Sequence, residues 1–165
     1  MRTGVRIGID VGKARIGVAR SDLHGMLATP VETVQREAAP GADVARIVAL
    51  VAEIEAFEII VGLPLNLRGE PTLSTEDAVG FAKTLADRLA GAAEVRLVDE
   101  RLSTVSAQGQ LRQAGRKSKG SRAIIDQAAA VVILQHALDV ERGRNEAPGE
   151  VVAPSEEQPR NEETP

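Results

Sequence analysis

A chain of 165 residues, 43% hydrophobic with only two aromatic side chains, Phe57 and Phe81, supports one domain with an aliphatic core. The absence of cysteine excludes disulfides, thiol nucleophiles, iron–sulfur clusters and cysteine-held zinc, and two histidines (His24 and His136) leave little for a histidine-built site. Residues 141–165 hold seven acids and three bases, so they carry the whole net charge of −4 and the other 140 residues balance.

Residues 4–10 (GVRIGID) alternate with period two and predict a strand ending at an acid. Val11-Gly12-Lys13 is turn-like, and Arg15 to Arg20 predicts a second strand pairing back on the first. Asp22-Leu23-His24-Gly25 turns into a third strand near Ala28 to Val34, completing an antiparallel meander. From Asp43 to Ala56 the residues Val44, Ile47, Val48, Val51 and Ile54 recur at helical spacing. Phe57 to Gly62 is a short apolar run, as in a buried parallel strand. After a loop with two prolines, Ser74 and Asp77 resemble a capping box opening a helix with Val79, Ala82, Leu85 and Leu89 on one face. Val95 to Glu100 predicts a fifth strand, again running into acids. Ser103 caps a short helix to about Ala114, and a long helix runs from about Ser121 to Glu141. The sum is an α/β fold, a five-stranded mixed sheet flanked by helices. Residues 1–141 form the domain. Residues 142–165, rich in Pro, Glu and Asn, are expected to be a disordered acidic tail. No apolar run is long enough to cross a bilayer and no long apolar leader opens the chain, so the expected compartment is the cytoplasm.

Three acidic positions stand where apolar residues are expected. Asp10 ends the first strand, Asp99 and Glu100 end the fifth, and Asp126 opens a helix that is apolar on nearly every face. Each is also open to a plainer reading, as a turn, surface or first-turn helix acid. A buried carboxylate needs a partner, and two carboxylates about 5 Å apart repel by roughly 3 kcal/mol at an effective dielectric of 20. If the three meet, a cation must offset that repulsion. Mg2+ or Mn2+ takes oxygen ligands, and a pair of such ions suits phosphodiester hydrolysis.

Residues 112–122 (RQAGRKSKGSR) hold five basic side chains and no acid, among them Arg116, Lys117, Lys119 and Arg122. This composition suits phosphate contacts beside a metal site and points to nucleic acid. The loop after the fourth strand offers Asn66 and Arg68 as donors, and Gly62 leaves room there for a substrate backbone. Lys13 and Arg15 can steady phosphate charge close to Asp10. His24 and His136 have no evident ligand partner.

Four motifs then occur in order: GIDVGKARIGVA at 8–19, VGLPLN at 61–66, DERLST at 99–104, and IDQAAA at 125–130 followed by Leu134-Gln135. Together, over about Val5 to Asp139, the chain resembles the bacterial YqgF family of pre-16S ribosomal RNA nucleases or Holliday-junction-resolvase-like proteins. The resemblance implies a ribonuclease H-like fold and hydrolysis of phosphodiester bonds dependent on Mg2+ or Mn2+. It implies a role in maturing the 5′ end of small-subunit ribosomal RNA. It carries Asp10, one acid of the Asp99–Glu100 pair and Asp126 onto the metal site, with Glu100 favoured and Asp99 second. Lys13, Arg15, Asn66, Arg68, Arg101 and the basic segment are the expected substrate contacts. The expected partner is structured RNA, free or in ribosomal precursor particles, with branched DNA as the rival; the protein would act as a monomer or homodimer and without a membrane. A non-catalytic RNA-binding assembly factor is the alternative from another class. Asp10-x-Gly12 also resembles the first phosphate loop of actin-like sugar kinases, but that fold needs two such domains and this chain has room for one.

Overall fold

The computed structural model describes residues 1–36, 39–100 and 120–154, over 120–124 as backbone alone. The short helix expected from Ser103 to about Ala114 lies outside the described residues. Within them the meander is present: β1 (Val5–Val11), β2 (Arg15–Ser21) and β3 (Ala28–Gln35) pair antiparallel. Helix α1 (Ala42–Ile54) then leads into β4 (Ala56–Leu63), parallel to β1, and α2 (Leu73–Leu89) into β5 (Glu94–Asp99), parallel to β4. Helix α3 (Gly120–Arg144) follows.

The sheet has six strands, in the order β3-β2-β1-β4-β5-β6, not five. The extra strand, β6 (Glu150–Val152), comes from the segment expected to be disordered and pairs antiparallel with β5. Its composition is polar on average, yet two adjacent valines suffice for a three-residue edge strand. Gly149 (φ 65°) lets the chain approach closely, since a Cβ there would overlap the carbonyl oxygen of Leu97. Arg96 fixes the same segment by donating to the carbonyl of Pro148 at 3.1 Å. The boundary expected after residue 141 likewise falls inside α3, where Glu141 is buried. Residues 155–165 lie outside the description.

Strand alternation divides the core. Ile7, Ile9, Val11, Ile16, Val18, Ile59 and Val61 face α1 and α2, where Ile47, Leu50, Phe81 and Leu85 meet them. The opposite face carries Ala19, Ile60 and Val98 against Ala130, Ile133, Leu134 and Ala137 of α3. Small residues bring that helix close. A Cβ on Gly8 would lie 2.6 Å from Cβ of Leu134, and one on Gly17 would overlap the carbonyl of Asp126. The cap of α2 also differs from expectation: Thr72 and Thr75 form the capping box, and Asp77 instead accepts from Arg36 at 2.6 Å. Among the described residues no helix is long and apolar enough to cross a membrane.

Candidate functional site

Two polar clusters occupy the α3 face of the sheet, one at each end. At the amino ends of the parallel strands, Arg6 and Glu58 are fully buried with Glu141. Glu141 accepts from Arg2 at 2.8 and 2.9 Å and from Arg6 at 3.2 Å; Glu58 accepts from Arg2 at 3.0 Å and Arg96 at 2.9 Å. The arginines hold the Glu141 carboxyl down at about 2. Arg2 and Arg6 both lie over the Phe57 ring, at 5.0 and 4.9 Å. Every charge finds an opposite one here, so this cluster ties the amino terminus, β1, β4, β5 and α3 together.

At the carboxyl ends the balance is different. Asp10, pairing with Gly17 of β2, is the next residue after Gly8 on the face that meets α3. Glu100 follows β5 and is buried, whereas Asp99 is exposed; alternation turns one inward and the other out. The carboxylate of Glu100 takes the space beside Gly62, where a Cβ would overlap its Oε1. Gly62 thus makes room for a protein carboxylate, not for a substrate backbone as expected. Asp126 arrives from the third direction, its main chain lying on Gly17 and its neighbour Gln127 donating to Thr33 at 3.0 Å.

Asp10 senses the other two acids. Burial pushes the Asp10 carboxyl up to about 7, and the charges of Glu100 and then Asp126 push the same way. Arg15 donates to Oδ2 of Asp126 at 2.6 Å. The donor set is all oxygen, anionic and part-buried, the chemistry that a hard divalent cation satisfies. Among the described residues, however, no three acidic or histidine side chains stand close enough to form a ready-made cage. The acids are neighbours, and one of them is engaged by an arginine.

The other expected residues divide. Lys13 is exposed in the turn three residues beyond Asp10, and Arg68 is exposed in the loop after β4. Asn66 is used by its own loop: Oδ1 accepts from the amides of Arg68 and Glu70, and Nδ2 donates to Glu70 at 3.0 Å. It is therefore a loop-forming residue, with little left to offer a ligand. Arg101, Arg116, Lys117 and Lys119 lie outside the described residues, as does the side chain of Arg122. Sequence reasoning missed Arg36, which donates to the carbonyl of Gly12 at 2.9 Å and to Asp77, and lies 5.5 Å from the Phe81 ring centre. It braces the turn that follows Asp10, and nothing local in the sequence marks it.

The RuvX family, described as Holliday junction resolvase, matches residues 4–140. A protein of Clavibacter sepedonicus is 61% identical over 152 residues, 92% of this chain and 93% of its own length. One of Leifsonia xyli is 58% identical over 154 residues, 93% and 97% of the two chains. Both carry the provisional name pre-16S rRNA nuclease. Among solved structures, Thermus thermophilus RuvC in complex with a Holliday junction substrate aligns with a TM-score of 0.54 at 19% identity, covering 85% of this chain and 96% of that one. That likeness gives the fold, an α/β sheet of ribonuclease H type.

Proposed function

Because this chain belongs to the RuvX family, the group also called YqgF, we propose that it is a divalent-metal-dependent endonuclease cutting structured RNA, with the 5′ region of precursor 16S ribosomal RNA as its substrate. The family and its nuclease-named relatives support hydrolysis of phosphodiester bonds. One observation carries the site assignment: Glu100 and Asp126, far from Asp10 in sequence, bring their charges to bear on it at the carboxyl ends of β1 and β5. In open α/β sheets that edge is where ligands bind.

Asp10 and Asp126 would flank Mg2+ or Mn2+, and Glu100 would complete the oxygen set. Such ions, when bound, activate the attacking water and neutralise charge on the phosphate. The chain's own part is positional. Gly62 seats Glu100, Gly17 seats Asp126, and Arg36 fixes the turn after Asp10. Lys13 and Arg68, both exposed, hold the nucleic acid strand together with Arg101, Arg116, Lys117, Lys119 and Arg122. The work would be cytoplasmic, on RNA that is free or in ribosomal precursor particles.

A second reading is favoured by the family's description and by the junction-bound RuvC structure: resolution of branched DNA by a homodimer. Labelled precursor 16S RNA and a four-way DNA junction, each incubated with the full chain and Mn2+, separate the two. Cleavage of the RNA, lost in Asp10→Asn, is the expected result. Cleavage of the junction alone would overturn the choice of RNA, and RNA binding without any cleavage would make the protein an assembly factor.

A further inference from the structure

The pair Arg15–Asp126 is poised between two uses. Its nitrogen–oxygen distance is 2.6 Å, and the two side chains are only 27% and 20% exposed, so it is more than a loose surface contact. The main chains on both sides are fixed. Gly12 donates to the carbonyl of Arg15 at 2.9 Å, closing the hairpin, while Asp126 rests on Gly17 and its neighbour Gln127 is tied to Thr33. What remains free is side-chain rotation.

Asp126 can therefore point one oxygen at the guanidinium or deliver it towards Asp10 and Glu100. The first arrangement is the one present, and with it no three-acid cage exists among the described residues. Given the proposed metal site, on which this inference rests, Arg15 and a divalent cation compete for the same carboxylate.

We infer that Arg15 is a resident counter-ion of Asp126, which it yields to a divalent cation on loading, and that the freed guanidinium then turns to the phosphate of the substrate. The arginine keeps the acidic end of the sheet tolerable before loading and lowers metal affinity until substrate phosphate rewards its release. Cation loading and substrate binding are then coupled through one side chain.

Calorimetric titration of the full chain with MnCl2 tests this, comparing wild type, Arg15→Met, Asp126→Asn and the double variant. Removing a cation from beside the site is expected to tighten Mn2+ binding about tenfold in Arg15→Met. In the Asp126→Asn background the same change should tighten it far less. At saturating Mn2+, Arg15→Met should nevertheless cut RNA more slowly than wild type. Equal or weaker Mn2+ binding by Arg15→Met overturns the counter-ion role, as does an undiminished gain in the double variant. Unchanged cleavage overturns the phosphate role. Should Arg15→Met not fold, Arg15→Gln, which also removes the charge, is read on the same scale, tighter binding supporting the role and equal or weaker binding overturning it. If wild type and every variant fail to bind Mn2+, the metal-dependent reading of the site is what fails.

Discussion

The carboxylate of Glu100 fills the space left by the missing side chain of Gly62: a Cβ at Gly62 would overlap Oε1 and come 2.7 Å from Cδ1 of Ile133. A residue with no side chain on one parallel strand thus sets the position of an acid following the next. Asp99, one position earlier, points away because strand neighbours alternate faces.

Gly62→Ala should therefore displace the carboxylate of Glu100 and push back the end of Ile133. Expected are a loss of about 1–3 kcal/mol of stability from overpacking and a fall of about 100-fold in RNA cleavage from misplacement of the carboxylate. Gly80→Ala in α2, where nothing lies within 4 Å, is the control. It should be neutral or stabilising by roughly 0.5–1 kcal/mol. Urea denaturation and initial cleavage rates read both variants.

Asp10 makes stability fall as pH rises. Its folded carboxyl titrates at about 7, well above an ordinary carboxylate, so between pH about 4 and 7 the unfolded chain has lost a proton that the folded chain keeps. The cost is absent at pH 4, grows through this window and is complete above pH 7. Asp10→Asn removes it. In metal-free buffer the variant should gain roughly 2–4 kcal/mol at pH 8 and almost nothing at pH 4. An equal gain at both pH values would mean that ionisation of Asp10 is not the cause.

Glu141 runs the other way. Its folded carboxyl lies near 2, so its contribution is present above about pH 4.5 and is lost as pH falls through 2. Glu141→Gln leaves Arg2 and Arg6 underpartnered and should cost about 3–5 kcal/mol at neutral pH, less in acid. Cleavage per folded molecule should not change, because this cluster lies at the opposite end of the sheet from Asp10. A selective loss of cleavage would tie the two ends together.

Divalent cation should stabilise the chain beyond its ionic strength. Mg2+ is expected to raise the melting temperature by a few degrees over KCl of equal ionic strength, by mass action on the folded state. Asp10→Asn should abolish the difference.

Local pattern made much of this legible. The meander, both helix–strand units and the long helix follow from periodicities of two and 3.6 residues, and Asp10, Glu100 and Asp126 stood out as acids in apolar surroundings. What escaped depends on contacts between distant residues. Arg6 and Glu58 read as ordinary alternating positions because their partners are remote in sequence: Glu141 lies 135 residues beyond Arg6, and Arg2 and Arg96 stand 56 and 38 residues from Glu58. The two valines of β6 are averaged away in a polar segment, and the closing of the loop on Asn66 depends on backbone amides that no local pattern marks. Whether the glycine at position 62 admits a ligand or a side chain from the next strand is decided only when the strands are set side by side.

The most direct measurement is a crystal structure of the full chain soaked in MnCl2, with anomalous scattering locating the ions. Manganese is expected in direct contact with carboxylate oxygens of Asp10 and Glu100, with Asp126 rotated off Arg15 towards the ion. Manganese bound elsewhere, or these three carboxylates left without it at saturating concentration, would contradict the shared metal site.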